Sequence, residues 1–218
     1  MTVPVQSLIP SELLYFNAEK FASSKSVFNR IAVLHTDVQV NRVELVQHLL
    51  AAAFLANEAA GLMRLELRQK KVLFGLGSKP VLFADPTGRP ANWDGPCLEA
   101  NLLEAAERAA NSEVASIVSA WLGRDYSEPY DEVLGRLQAG LAERGLLDMQ
   151  EERKLKIFVT RSFSLPGETR AFLAAQSLAP LTALLQGCQS TRPQVWQELL
   201  AQVKKAVDSR QEQMEVDG

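Results

Sequence analysis

The chain has 218 residues, of which 47% are apolar and 22% are charged, and its mean hydropathy is −0.05. This composition excludes a disordered chain and favours a globular protein whose core needs no disulfide bonds. The 23 basic and 26 acidic residues give a net charge of −3, which argues against a protein that coats nucleic acid.

No targeting or membrane-spanning segment is predicted. Residues 1–10 contain no basic side chain and no long apolar run, both of which a secretory signal requires. The most apolar helical stretch, residues 45–63, is interrupted by four polar side chains, Gln47, His48, Asn57 and Glu58. A spanning helix needs about 20 predominantly apolar residues. The chain is therefore expected to be cytoplasmic, either free or as a peripheral membrane protein.

The N-terminal third predicts two helices around a short β-leaning segment. Residues 10–21 have the pattern of a short helix, and residues 31–34 form an apolar run typical of a strand. A clearer helix begins after Asn41, an expected N-cap, with Glu44 placed for a capping box. Its apolar stripe continues to Gly61, a residue that commonly ends helices.

The period then changes from helical to strand-like. Residues 62–68 alternate between apolar and charged side chains, which predicts a half-buried strand. Turns are expected at residues 69–70 and 77–78, with further strands over residues 71–76 and 81–83. The simplest arrangement is a three-strand antiparallel meander.

The rest of the chain is predominantly helical. A turn-rich loop at residues 85–96 is followed by predicted helices over residues 98–110, 114–122 and 127–144, and then by a β-hairpin or wing over residues 153–164. Further helices are predicted over residues 168–178, 180–186 and 193–207. The predicted class is mainly α with short antiparallel β-hairpins, in which a helical core carries winged-helix-like elements. We expect one domain over residues 1–190, an amphipathic helix over 191–207, and a disordered tail over 208–218.

A series of short motifs resembles the Golgi phosphoprotein 3 family over about residues 10–175. The motifs, in chain order, are GLMRLEL at 61–67, PTG at 86–88, LQAGLAERGLL at 137–147, IF at 157–158 and SLP at 164–166. The resemblance implies a mostly helical fold without a catalytic site. It also implies binding to phosphatidylinositol-4-phosphate on membranes, or to the cytoplasmic tails of glycosyltransferases, as in eukaryotic members.

The positions that hold the lipid headgroup in that family do not carry its residues here. They align with Gln39, His48, Asp131 and Leu134, where the family has one tryptophan and three arginines. Phosphate recognition requires positive charge or a row of backbone donors, and Asp131 would repel it. Arg89 also replaces the acid of the family's P-T-G-D motif. The resemblance therefore predicts the fold more strongly than a phosphoinositide site.

The densest positive segment is the candidate site for an anionic lipid or phosphate. Its basic residues are Arg64, Arg68, Lys70, Lys71 and Lys79, against the single acid Glu66. These cations could contact an anionic membrane. Alternatively, they could protect an exposed sheet edge against aggregation. Trp93, in the Gly- and Pro-rich loop, is a candidate partner-contact residue, or else it covers the core beneath that loop.

A second basic group leads to the alternative function, a winged-helix-like regulatory or protein-assembly module. Its members, Arg153, Lys154, Lys156 and Arg161, lie on the predicted wing. The helix before the wing carries more acidic than basic residues, which argues against DNA reading and favours a protein partner or a homo-oligomer.

No motif indicates catalysis, a metal or a cofactor. Residues 75–80 fail the G-x-G-x-x-G pattern because residue 80 is proline, and they lack the Gly-Lys-Ser/Thr spacing of a P-loop. The two histidines, His35 and His48, have no cysteine or paired acid at ligand spacing. Cys97 and Cys188 form no Cys-x-x-Cys motif and are expected to be core residues. A non-enzymatic adaptor or peripheral membrane-binding protein is therefore the predicted function.

Overall fold

The computed structural model describes residues 7–25, 28–34, 36, 38–71, 77–93, 95–123, 128–154 and 158–217. The predicted class, mainly α with short antiparallel β-hairpins, is confirmed. The elements follow one another as α1 (Pro10–Tyr15), a short 3-10 helix (Ala18–Lys20), β1 (Arg30–Ala32), β2 (Gln39–Asn41), α2 (Arg42–Ala59), β3 (Met63–Lys71), β4 (Ser78–Pro86), α3 (Leu98–Arg108), α4 (Val114–Leu122), α5 (Pro129–Glu143), β5 (Asp148–Lys154), β6 (Phe158–Ser164), α6 (Gly167–Ala174), α7 (Ala179–Thr191) and α8 (Pro193–Asp217). Among the described residues, these strands pair with one another as the hairpins β1–β2, β3–β4 and β5–β6.

Helix α2 is the centre of the core, and α1, α3, α5, α7 and α8 contact it. Its start is fixed by Asn41, whose Oδ1 accepts a 3.0 Å hydrogen bond from the Glu44 backbone N–H. Only this half of the predicted capping box forms. The Glu44 carboxylate instead accepts a 2.6 Å hydrogen bond from the backbone N–H of Ser23, which joins the N-terminal segment to α2.

The predicted end of α2 at Gly61 is confirmed, and it has the hydrogen bonds of a Schellman motif. Gly61 has a φ of 71°. Its N–H donates to the Glu58 carbonyl at 2.9 Å, and the Leu62 N–H donates to the Asn57 carbonyl at 2.8 Å. These bonds satisfy carbonyls that the end of a helix would otherwise leave unpaired.

Helix α1 is shorter than predicted, ending at Tyr15 rather than near residue 21. The Asn17 side-chain amide donates to the Leu13 carbonyl at 2.9 Å, so a side chain bonds to the backbone where the helix stops. The 3-10 helix at Ala18–Lys20 covers half of the remaining predicted stretch, residues 16–21.

The predicted three-strand meander is wrong. Strand β3 pairs directly with β4, from Met63 opposite Pro86 to Lys71 opposite Ser78, so the expected turn at residues 69–70 lies inside a strand. This pairing places Leu65 and Leu82 on the same buried face, and burial of an apolar face is what selects a register. Most of the predicted second strand, residues 72–76, lies outside the described residues.

Helix α8 belongs to the core and is longer than predicted. The predicted apolar face of Trp196, Leu199, Val203 and Val207 is buried in the same hydrophobic cluster as α2. Helix α8 continues to Asp217, through most of the segment for which the sequence predicts disorder.

Contacts with α4 and α5 hold the first part of α8 beyond its predicted end at residue 207. Asp208 accepts a 2.5 Å hydrogen bond from the Tyr130 hydroxyl, and Arg210 donates to the Ser119 carbonyl at 2.8 Å. Periodicity along the tail does not reveal these contacts with α4 and α5.

In the described part of the chain, no single helix is both long and apolar enough to cross a membrane. The pair Gly167–Ala174 and Ala179–Thr191 satisfies the length and composition criteria only when combined, and is bent by 59°.

Candidate functional site

The β3–β4 hairpin has one face toward the core and one charged face. Arg64, Glu66, Arg68 and Lys70 lie on the same side of β3, opposite Asp85, Phe83, Val81 and Lys79 of β4. The other side carries buried residues such as Met63, Leu65, Leu82 and Ala84. The predicted alternation of charged and apolar side chains in β3 is therefore confirmed.

The far end of the hairpin extends into solvent. We define the hairpin end as residues 69–71 and 77–80, all of which are exposed. Lys70 and Lys79 lie directly opposite each other there, with Lys71 adjacent. No acidic residue occurs in residues 69–71 or 77–80, so the hairpin end contributes only positive charge.

Two of the five predicted cations are held in ion pairs. Arg68 pairs with Glu66 at 2.9 Å and with Asp85, and its guanidinium lies 4.7 Å from the centre of the Phe83 ring. These carboxylates raise the pKa of Arg68. Lys70 pairs with Glu113, the residue that precedes α4.

The other three predicted cations, Arg64, Lys71 and Lys79, are exposed and form no ion pair with the described residues. The sequence does not reveal which of these cations are neutralised. Glu113 is 43 residues from Lys70 along the chain, so no local spacing connects them.

The second basic group is only partly described. Arg161 pairs with Glu151 across the β5–β6 hairpin at 2.9 Å, and both side chains are substantially exposed. Lys156 lies outside the described residues, and the surroundings of the Arg153 and Lys154 side chains are also outside them. One of the four predicted cations of the wing is therefore balanced by its strand partner.

Trp93 covers the core and lines a cleft. It is half-buried and packs against the hydrophobic cluster. Its Nε1–H donates to Asn57 Oδ1 at 2.9 Å. Asn57 is fully buried, and its amide donates to the carbonyls of Ala53 and Glu99. These contacts fit the covering role of Trp93, and its contact with a partner stays a prediction.

The four positions aligned with a phosphoinositide pocket do not form a cationic site. Gln39 is an exposed residue of β2, whereas Leu134 is 2% exposed in the core. Asp131 accepts a 2.6 Å charged hydrogen bond from Arg42. Glu128 also pairs with this arginine, at 3.6 Å. Arg42, the cation that contacts Asp131, is therefore balanced by two acids.

His48 is a half-buried structural residue. Its Nδ1 donates to the Glu44 carbonyl at 2.8 Å, and its ring centre is 5.8 Å from that of Trp196. Burial lowers the pKa of His48, although the hydrogen bond to Glu44 opposes this shift. The other histidine, His35, lies outside the described residues.

A buried polar cluster joins α1, α3 and α5. Ser11 donates from its backbone N–H to one Glu99 oxygen at 2.9 Å and from its hydroxyl to the other at 2.7 Å. Glu12 pairs with Arg144, and both side chains are buried. The cluster thus holds two buried carboxyl groups, of which Glu12 is paired with the Arg144 guanidinium.

Burial dominates the electrostatics of this cluster. It raises the pKa of Glu99 to about 7, although the Ser11 hydrogen bonds act in the opposite direction. It also raises the pKa of Glu12, against the attraction of Arg144, and the pKa of the neighbouring Cys97 thiol to about 12. Both cysteines are buried, as predicted. The described residues contain no group of three or more His, Cys, Asp or Glu placed to hold a metal ion.

No protein-family model, curated protein or solved structure gives a significant match to this chain. The resemblance to the Golgi phosphoprotein 3 family is neither supported nor excluded by these comparisons, and it stays a prediction.

Proposed function

We propose that this protein is a non-enzymatic adaptor that associates peripherally with anionic membranes through the end of the β3–β4 hairpin. The observation that carries this proposal is the direct pairing of Lys70 with Lys79 at that exposed end. Like charges opposite each other destabilise a strand pair. Departures from local stability of this kind are concentrated at functional sites.

The charge of the hairpin end suits an anionic surface. Lys71 and Lys79 are exposed and form no ion pair with the described residues. Each cation near such a membrane contributes about 1 kcal/mol. Lys70 pairs with Glu113, but its side chain remains 52% exposed. Surface ion pairs of this type contribute at most about 1 kcal/mol, so an anionic lipid can compete with Glu113 for Lys70.

The proposal concerns surface charge rather than recognition of one headgroup. Arg42, the cation beside the aligned headgroup positions, is already paired with Glu128 and Asp131. Binding is therefore expected to follow the total negative charge of the membrane. Phosphatidylinositol-4-phosphate should increase binding only in proportion to the negative charge that it adds to the membrane.

Vesicle co-sedimentation tests the proposal. The protein should sediment with vesicles containing phosphatidylserine at low salt, should not sediment with phosphatidylcholine vesicles, and should dissociate as salt screens the charges. Absence of binding to phosphatidylserine vesicles at low salt would contradict the proposal. Strong binding only in the presence of phosphatidylinositol-4-phosphate would contradict its charge-based form.

The matched variants are Lys71→Glu/Lys79→Glu and the control Lys20→Glu/Lys205→Glu. All four lysines are exposed, and both double variants change the net charge equally. Reversal at the hairpin end should weaken binding by at least about tenfold. The control should bind almost as tightly as the original protein. Equal weakening in both variants would show that only the net charge matters.

A further inference from the structure

A cleft lies between the C-terminal turn of α2 and the loop that follows β4. Its volume is about 310 Å³, and its lining residues are Ala60, Leu62, Arg89, Pro90, Asn92 and Trp93. This volume is at the small end of the range of ligand sites, which is roughly 300–1,000 Å³. The lining combines an apolar floor, one aromatic wall, one cation and one carboxamide.

Both ends of the loop are fixed to the same turn of α2. Thr87 donates from its hydroxyl to the Gly61 carbonyl at 2.8 Å and from its backbone N–H to the Leu62 carbonyl at 2.9 Å. At the other end, the Trp93 indole is held by the buried Asn57. The walls of the cleft are therefore positioned before any ligand binds, which reduces the ordering cost of binding.

Arg89 supplies an available positive charge at this cleft. Its side chain is exposed and forms no ion pair with the described residues. It crosses directly over Gly61, where an added Cβ would lie 2.8 Å from Arg89 Nη1. The Thr87 bonds and the Schellman motif satisfy carbonyls at the end of α2, so part of the negative end of that helix is already compensated.

We propose that this cleft binds a small carboxylate with a flat apolar body. The apolar body would pack between Trp93, Pro90 and the buried Leu62, and the carboxylate would accept hydrogen bonds from Arg89. The planar guanidinium matches a carboxylate with two parallel hydrogen bonds. A single cation balances a monoanion, whereas a phosphate monoester carries about −1.5 to −2 charges. This inference is independent of membrane binding by the hairpin.

The test is a titration with N-acetylphenylalanine, to about 10 mM, followed through the tryptophan indole N–H signals in nitrogen-15 NMR spectra. The Trp93 signal should move, whereas those of Trp121 and Trp196, each only 9% exposed, should remain in place. The uncharged amide of the same compound should bind at least about tenfold more weakly, because it lacks the carboxylate. Phenyl phosphate should bind no more tightly than the carboxylate.

Arg89→Gln should weaken binding of N-acetylphenylalanine by at least about tenfold, since a charged hydrogen bond is lost. The matched control is Arg64→Gln, which removes another exposed cation without an ion pair among the described residues and should bind as the original protein does. An unchanged melting temperature would show that the variants fold. The proposal is overturned if no signal moves, if the Arg89 variant binds normally, if the amide binds equally well, or if phenyl phosphate binds more tightly.

Discussion

Glu99 places a carboxyl group inside the protein without an ion pair among the described residues. Its oxygens accept hydrogen bonds from the backbone N–H and the hydroxyl of Ser11, and the guanidinium of Arg144 is paired with Glu12. A buried carboxylate in this setting binds its proton more tightly than in the unfolded chain. The stability of the protein should therefore depend on pH through this residue.

The expected dependence has a definite sign. The pKa of Glu99 is about 7 in the folded protein and 4.5 in the unfolded chain. The stability linked to Glu99 is therefore fully present below about pH 4.5, falls as pH rises, and is lost above about pH 7. The total change is on the order of 3 kcal/mol. Urea unfolding of the original protein and of Glu99→Gln at pH 5 to 8 measures it.

Glu99→Gln should remove this component of the pH dependence and unfold at higher urea than the original protein at pH 8. Glu104→Gln, on the exposed side of the same helix, is the control and should retain the original pH profile. Parallel profiles for the original protein and Glu99→Gln would contradict the account.

At the level of single residues, the sequence predicts the strand face on which a side chain lies better than it predicts the residue with which that side chain pairs. The alternation in β3 predicted that Arg64 and Arg68 share a face, because strand geometry is local. Pairing of Arg68 with Asp85 depends on the β3–β4 register, across 17 residues of chain. The buried Ser11–Glu99 contact spans 88 residues, and no pattern in the sequence indicates it.

Among the elements, α5 contains a position that requires glycine, because the backbone of another segment lies very close to it. A Cβ on Gly140 would clash with the backbone carbonyl oxygen of Pro96, whereas a Cβ on Gly135, in the same helix, would meet nothing within 4 Å. Within a helix, alanine is more favourable than glycine by about 1 kcal/mol. Gly135→Ala should therefore stabilise the protein by up to about 1 kcal/mol.

Gly140→Ala should destabilise the protein instead, typically by about 1–3 kcal/mol, because a backbone atom must move. Chemical denaturation of the two variants gives the comparison. The interpretation of the α5–Pro96 contact is wrong if both substitutions change stability in the same direction.

A single substitution in the β3–β4 hairpin should change protein stability and membrane binding in opposite directions. Lys79→Glu would replace a like-charge pair opposite Lys70 with an opposite-charge pair. It should therefore stabilise the protein by roughly 0.2–1 kcal/mol. The same substitution should weaken binding to phosphatidylserine vesicles. Thermal unfolding measures the change in stability, and co-sedimentation measures the change in binding. A loss of both stability and binding would contradict the claim that the opposed Lys70 and Lys79 destabilise the hairpin.

Helices were predicted more reliably than strand pairing. The apolar stripes and end signals of α2 and α4 act within a few residues, so the sequence contains them directly. The hairpin was predicted as a meander because alternation identifies a strand but does not select its neighbour. The helical tail was missed because its supports, such as the Tyr130–Asp208 contact, come from distant segments.

Across the whole molecule, the charged residues are unevenly distributed, although the net charge is small. The exposed end of the β3–β4 hairpin carries cations only, although the chain as a whole has a net charge of −3. At the start of α5, the three acids Glu128, Asp131 and Glu132 outnumber their two ion-pair partners, Arg42 and Arg136, by one. An anionic surface would attract the first region and repel the second. The proposed function therefore predicts one orientation of the protein on a membrane.

A fluorescent label at the hairpin end tests that orientation most directly. Cys97 and Cys188 are buried, so a cysteine introduced as Ser78→Cys can be labelled selectively with an environment-sensitive dye, and Gln197→Cys on exposed α8 is the control. On addition of phosphatidylserine vesicles at low salt, emission from the label at position 78 should shift to the blue, and emission from position 197 should not. A shift at position 197 alone, or at neither position, would contradict membrane contact through the β3–β4 hairpin.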